Sequence, residues 1–464
     1  MAQKQSALWS EIYDREAVSS LKAERREGVT SRVRYSIIVM LFGVTALNYA
    51  DRAALSIAGP AAAKQLGLNA VAMGYIFSAF GWSYVLGQIP SGWLLDRFGS
   101  KRVYGLSLLF WSIFTGLQGF ANSIRAVTPA VVLFSLLFLM GLAEAPSFPG
   151  NGRIVAAWFP IAERGTATAI FNSAQYFATV LFAPIVGWIT QVFGWQHAFA
   201  ALGVIGILLV PIWRKVIYNP TEHPRMTPTE LEHIQSGGGL VTMDQSAKTG
   251  KSGNAPKWSV VRELLTNRML LGVYVAQYCI TTLTYFFLTW FPVYLVQARG
   301  MTILKAGMIA SLPAVCGFGG GVVGGIFSDR LLKLGYSLST ARKIPIVIGM
   351  LLSISMVACN YVSAAWVVVG VMCLSFLGKG IGALGWAVIS DTAPKENAGL
   401  CGAIFNTFGN TAAITTPIII GYVVQQTKSF NGALVFVAAN ALAAIVCYLL
   451  VVGDIRRVQL SVAR

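Results

Sequence analysis

The sequence predicts an all-α membrane protein whose twelve transmembrane helices form two pseudo-symmetric six-helix bundles. Three observations carry that reading. Only 11% of the 464 residues are charged, against about 25% in typical soluble domains. Hydrophobic residues make up 55% of the chain, enough for twelve spans of about 20 residues each. Finally, short motifs of the first half recur in the second at a nearly constant offset. The net charge of +17, from 35 Lys and Arg against 18 Asp and Glu, would suggest nucleic acid as the partner of a soluble protein. Its meaning here depends on where the cations sit.

Apolar runs separated by short polar loops mark spans at 35–58, 72–94, 103–121, 127–148, 166–190 and 196–217. A second set follows at 269–297, 303–328, 344–363, 365–390, 399–425 and 430–452, each long enough for a tilted helix. The expected organisation is a tail over 1–34, a bundle over 35–217, a polar linker over 218–268, a bundle over 269–452 and a tail over 453–464. Of the 35 basic residues, 28 fall on the side shared by both tails and the linker, 5 (Lys64, Arg125, Arg299, Lys305 and Lys428) on the other, and Arg52 and Lys379 inside spans. By the positive-inside rule both termini and the linker are cytoplasmic. The basic excess therefore encodes topology, and no nucleic-acid partner is implied.

The first 34 residues are polar and carry both charge signs without an apolar core, so they read as a cytoplasmic tail and not as a cleavable signal peptide. His223-Pro224, Gly237-Gly238-Gly239 and the run from Lys248 to Gly253 give the centre its linker composition. Thr227, Pro228 and Glu230 form a capping-box start for one short helix, expected to be a surface stub. The six cysteines lie singly in or beside spans, with no CxxC pair, which suits small buried residues better than disulfides or a metal site.

The halves can be overlaid. Ala169-Ile170-Phe171-Asn172 recurs as Ala403-Ile404-Phe405-Asn406, and Pro160, Gly165 and Gly187 meet Pro394, Gly399 and Gly421 at the same offset, while Pro184 falls one residue short at Pro417. Gly92, Asp96 and Arg97 meet Gly325, Asp329 and Arg330. Two six-span halves in the same orientation are related by an axis along the membrane normal and place a site at the midplane between them.

The segment Gly92-Trp93-Leu94-Leu95-Asp96-Arg97-Phe98-Gly99-Ser100-Lys101-Arg102 resembles the loop motif of the major facilitator superfamily. Gating is therefore expected of Gly92, Asp96 and Arg97 and of their counterparts Asp329 and Arg330, with Asp96 accepting from a neighbouring helix end to latch the cytoplasmic face. An ordinary topogenic loop would explain the cations but not Gly92, Asp96 and Gly99 at these spacings. Asn48-Tyr49-Ala50-Asp51-Arg52, Gly141-Leu142-Ala143-Glu144-Ala145-Pro146 and Trp290-Phe291-Pro292 are similar to the anion:cation symporter branch. Phe171 to Tyr176 and Gly378 to Trp386 look most like its proton-coupled glucarate and galactarate transporters. That resemblance covers nearly the whole chain.

An ionisable residue inside a span costs about 2.5 to 3.5 kcal/mol on insertion scales, so each is a functional candidate. Asp51, Arg52, Glu144 and Lys379 qualify, whereas Asp391 lies near a cytoplasmic end and all three histidines fall in loops or at an edge. Asp51 and Glu144 are the proton-coupling candidates. A buried carboxylate favours its neutral form and a nearby cation the ionised one, so such a group can toggle when substrate competes for the cation. The resemblance implies the same role for both positions. A static Asp51–Arg52 pair is the alternative, but adjacent helical residues point about 100° apart.

Arg52 and Lys379 come from opposite halves, which suits a substrate with a carboxylate at each end. The three glycines around Lys379, at 378, 380 and 382, suggest a cavity-lining stretch. For the polyol chain, Tyr49, Tyr84, Asn172, Gln175 and Asn406 offer hydrogen bonds and Trp386 an apolar wall; each could equally be interhelical glue. One departure stands out: the family usually carries Arg one heptad before the fourth-span Glu, and here that residue is Leu137.

The function expected is proton-coupled import of a sugar diacid, D-glucarate or D-galactarate, by a monomer in the bacterial inner membrane, with no cofactor beyond the proton and no metal. A carrier for a hexonate or hexuronate is the alternative within transporters. A phosphate antiporter would need a second intramembrane Arg. An enzyme should show a nucleophile with its base or a metal cluster, and none is visible. A non-transporting sensor should carry an output domain, for which the linker is too short and polar.

Overall fold

The computed structural model describes residues 33–123, 127–242, 258–394 and 398–459. Most of the tail expected over 1–34, the run from Lys248 to Gly253, Arg125, Lys395 and Arg464 lie outside the described residues. Eleven described helices are long and apolar enough to cross a membrane. A further helix, Ser100–Gln118, falls below that hydropathy because Lys101 and Arg102 occupy its first turn. Its 19 residues still reach about 28 Å at 1.5 Å per residue, matching a bilayer core. Counting it in sequence order gives the twelve spans, named first to twelfth below.

Several spans differ from their sequence expectation, and prolines and glycines explain how. The first helix runs over Val33–Leu66, well beyond 35–58. The fourth is Pro129–Glu144, then a break at Ala145-Pro146, then Ser147–Trp158. Pro146 lacks the N–H that would continue the ladder. The carbonyls freed there are capped by neighbours: the Ser107 hydroxyl donates to Ala143 O and the Ser91 hydroxyl to Ala145 O. The seventh span passes from Arg268–Tyr285 through a π turn at Phe286–Trp290 to Phe291–Gln297, with Pro292 just beyond the turn. The tenth breaks between Ala365–Ile381 and Gly385–Thr392.

Within the first half the first span packs on the fifth, the second on the fourth and the third on the sixth. The second half repeats this pattern as seventh on eleventh, eighth on tenth and ninth on twelfth. The halves meet through the second and eleventh spans and through the fifth and eighth. Both seams close at the face away from the linker. There the Ala70 N–H donates to Gln425 Oε1 at 3.3 Å, the Leu304 N–H donates to Gln191 Oε1 at 3.1 Å, and the Tyr75 and Tyr422 hydroxyls are 3.2 Å apart. Glycines permit this approach. A Cβ on Gly74 would meet Pro417 O at 2.6 Å, and one on Gly307 would meet Ala183 O at 2.6 Å. Gly74 faces Gly421 as Gly307 faces Gly187, so the glycine pairs obey the same internal symmetry as the sequence repeat.

The linker helix Pro228–Ser236 forms with its cap as expected: the Glu230 N–H donates to Thr227 Oγ1 at 3.3 Å. It is not a surface stub. Glu230 is fully buried and accepts from the Val33 and Arg34 N–H groups at 3.4 and 3.3 Å, at the start of the first span. A carboxylate satisfies donors that a helix N-terminus leaves open. Arg34 also pairs with Glu163 at 3.2 Å, and Arg164 donates to Gly238 O at 2.7 Å. The docked part of the linker thus belongs to the first half.

Candidate functional site

A cavity of about 630 Å³ of empty space, its mouth included, lies between the halves. The first and fifth spans line it with Tyr49, Ser56, Gln175 and Tyr176, and the second half adds Thr284, Phe287 and Lys379. Phe287 sits in the π turn of the seventh span and Thr284 just before it, and Lys379 sits in the last turn before the tenth span breaks. Broken helices thus supply the wall, since irregular backbone at membrane depth is tolerated where it lines a cavity.

Arg52, Glu144 and Lys379 share one depth. Each lies 14 or 15 residues along its helix from the face where the seams close, about 21 Å at 1.5 Å per residue. Glu144 and Lys379 are 235 residues apart, close to the repeat offset, and both lie in the last turn of the first segment of a broken helix.

The Arg52 guanidinium pairs with Glu144, its Nε and Nη2 lying 3.0 and 2.9 Å from the same oxygen, Oε2. Glu144 is 0% exposed, and its other oxygen, Oε1, has no hydrogen-bond partner. Aromatic rings wall the cation: its Cζ is 4.2 Å from the Phe80 centroid, 5.0 Å from that of Tyr49 and 5.1 Å from that of Tyr84. Such cation–π contacts hold a cation away from water at low cost. Asp51 stands near Glu144 but forms no ion pair among the described residues. It is 2% exposed and lies against Thr115 and Trp111 of the third span, so it does not pair with its neighbour Arg52. Leu137 is buried among apolar side chains, leaving Arg52 as the one cation paired with Glu144 among the described residues.

Lys379 is 8% exposed, with Nζ 5.2 Å from the Phe376 ring. Among the described residues no carboxylate pairs with it. Its flanking glycines do not line the cavity: a Cβ on Gly378 would strike the ninth span at Gly349 O, and one on Gly380 the eighth span at Gly317 O. They let the tenth span pack closely, and that packing aims Lys379 at the cavity.

Of the other expected contacts, Tyr49 and Gln175 line the cavity, and Tyr84 stands behind it on Arg52. Asn172 is outside the lining set, and Asn406 accepts from Asn410 Nδ2 at 3.1 Å within the eleventh span. Trp386 is 57% exposed and rests edge-on against Phe405, beyond the break and outside the cavity. Sequence reasoning missed Asn48, buried beside Glu144, and Tyr285, buried near Arg52. An offset of 233 from Arg52 lands on Tyr285; overlaying the halves could have found it.

The gating candidates lie at the linker face, and their ion pairs stay inside each half. Arg153, beyond the break in the fourth span, pairs with Asp96. In the second half Arg342 lies 3.5 Å from Asp329 and 2.9 Å from Asp391. Gly92 has open space around it. Arg97 stacks near Trp93 and Phe98, and Arg330 is exposed. Among the described residues, the hydrogen bonds that bridge the halves lie at the opposite face.

The family model for the Major Facilitator Superfamily matches residues 41–341. The chain belongs to the major facilitator superfamily. Among curated members, the probable galactarate/D-glucarate transporter GudP of Bacillus subtilis (strain 168) is 64% identical over 434 residues, covering 94% of this chain and 95% of the relative. The probable galactarate/D-glucarate transporter GarP of Escherichia coli (strain K12) is 58% identical over 438 residues, covering 94% and 98%. The D-galactonate transporter of Escherichia coli O6:H1 is 38% identical, covering 92% and 97%. The solved D-xylose-proton symporter shares the superfamily fold at TM-score 0.68 and 15% identity, covering 90% of this chain and 98% of that one.

Proposed function

We propose that the protein is a proton-coupled symporter that imports a sugar diacid, D-glucarate or D-galactarate, across the bacterial inner membrane by alternating access. The names borne by its relatives at 55% to 64% identity support the substrate. The observation that carries the reading is the contrast between two cations at one depth: Lys379 faces the cavity with no carboxylate partner among the described residues, while Arg52 is held by Glu144.

In the proposed cycle a proton from the outer side neutralises Glu144 and releases the Arg52 guanidinium. One substrate carboxylate then takes Arg52 as a bidentate partner and the other takes Lys379 as a point charge. Tyr49 and Gln175 face the polyol chain. The halves rock about this site; on the inner side Glu144 gives up its proton and reclaims Arg52, which displaces the substrate carboxylate. Asp51 is the second proton site. The positive-inside count puts the linker and both termini in the cytoplasm, so the described conformation is inward-facing. The working unit is a monomer needing no cofactor other than the proton.

Counterflow in proteoliposomes with labelled sugar acids, with and without an imposed pH gradient, tests this. Glucarate uptake should accelerate when the outside is acid; uptake indifferent to the gradient rejects the coupling. A hexonate carrier is the second reading, favoured by the 38% identity to the D-galactonate transporter; preference for galactonate over glucarate would select it.

A further inference from the structure

The face where the seams close is devoid of acid. None of the 18 carboxylate side chains lies in the segments that join spans there, residues 67–69, 119–128, 194, 298–302, 361–364 and 428–430. The cations of that face therefore stand without any carboxylate between them. Two of them, Arg299 and Lys428, line one cavity of about 1030 Å³ of empty space, open to solvent. It adjoins a seam between the halves: Ala70 and Gln425, whose hydrogen bond bridges them, are both in its wall. The remaining polar lining is neutral, with Gln297, Asn360 and Asn431.

The two cations have different duties. Arg299 is spent on the protein, donating to the Tyr294 hydroxyl at 2.8 Å and to Val362 O at 2.9 Å, so it contributes charge and not free donors. Lys428 is exposed and holds a left-handed backbone, φ +52°, the only positive φ outside glycine among the described residues. It ends the eleventh helix where glycine is the ordinary cap, and a lysine in that conformation is strained. A cleft lined by one sign of charge concentrates the opposite ion at its mouth.

We propose that this cavity is an outer anion site, where a dicarboxylate sugar acid docks over the closed seam before the halves part. Lys428 supplies the ammonium, Arg299 the fixed positive field, and the neutral amides meet hydroxyls. The inference rests on the sugar-acid reading above, and it adds a second binding place about one half-membrane away from Lys379.

The test compares Lys428→Glu with Lys305→Glu, a cation of the same face outside the cavity, in oriented proteoliposomes of the full chain. Initial rates of labelled D-glucarate are measured from the outer and from the inner side. Reversing a unit charge a few ångström from a dianion in screened water should raise the outer KM about 5-fold. The maximal rate of entry should stay unchanged while the ratio of maximal rate to KM measured from the inner side falls by the same factor, as detailed balance requires; the effect should fade in 0.5 M salt, and Lys305→Glu should move the outer KM less than about 2-fold. An unaltered outer KM in Lys428→Glu, or equal rises in both variants, overturns the site. If the unmodified protein moves a different sugar acid, the diacid reading fails and the same comparison is made with that acid; if it moves none, both readings fall.

Discussion

Arg52 places two nitrogens on a single oxygen of Glu144 and leaves the carboxylate's other oxygen, though buried, without a partner. A fork-to-fork pair would use both oxygens and be harder to open. The one-sided pair leaves Oε1 available for a proton while Arg52 is still in place. A glutamine mimics the protonated carboxyl, keeping an oxygen that accepts from Arg52 while removing the site that takes up and releases the proton. Glu144→Gln should keep counterflow exchange within about threefold and lose gradient-driven accumulation. Accumulation by that variant above the equilibrium level would clear Glu144 of the coupling role.

Lys379 separates diacid from monoacid. Lys379→Asn removes the cation but retains a polar tip, and should raise the KM for glucarate at least about tenfold while a hexonate competes relatively better. Loss of a charge-assisted hydrogen bond of about 1.5–3 kcal/mol accounts for that size. Intact glucarate uptake in this variant would refute the two-cation clamp.

The glycine seams set the conformational balance. A valine at Gly74 would drive a Cβ against the Pro417 carbonyl, and one at Gly307 against that of Ala183; both obstacles are backbone and cannot swing aside. Either substitution should open the outer face and slow transport. Cysteines introduced at that face, near Ala70 or Leu304, should label faster with an impermeant thiol reagent, and unchanged labelling would show that the seam tolerates the bulk.

His223 offers a pH effect outside the membrane. Its ring lies edge-on against Trp158 and Tyr218, centroids 5.5 and 5.4 Å away, and burial, aided by the Arg225 charge, holds its pKa below the ordinary 6.5. The Arg225 N–H donates to Nδ1 at 3.1 Å, so the neutral ring protonated on Nε2 is the form that fits. Because the folded pKa is the lower one, the stability His223 contributes is present above about pH 6.5 and lost as pH falls through that value toward the folded pKa. The His223 imidazole signal should titrate below 6.5 in NMR, and in His223→Gln the acid loosening of the docked linker should weaken.

Much of the site was legible along the chain because each intramembrane charge is costly enough to be conspicuous singly. Asp51, Arg52, Glu144 and Lys379 needed no partner to be noticed. Trp386 lies beyond a break at residues 382–384 and outside the cavity lining, and a continuous hydropathy run conceals such a break. Glu230 was read as surface because its own stretch is polar. Its burial depends on Val33 and Arg34, nearly two hundred residues earlier.

The sequence by itself determined the helical membrane class, the two-fold repeat and the identity of the buried charges, since composition, periodicity and insertion cost are properties of the chain in order. Only the tertiary structure decided which charges meet. It sent Arg52 to Glu144 and Asp51 to the third span, left Lys379 facing the cavity, and closed the halves at one face through glycine pairs. Those outcomes depend on where separate helices cross and at what depth. Hydropathy is blind to both, because it sums residues along a helix and carries no information about the neighbour each face will find.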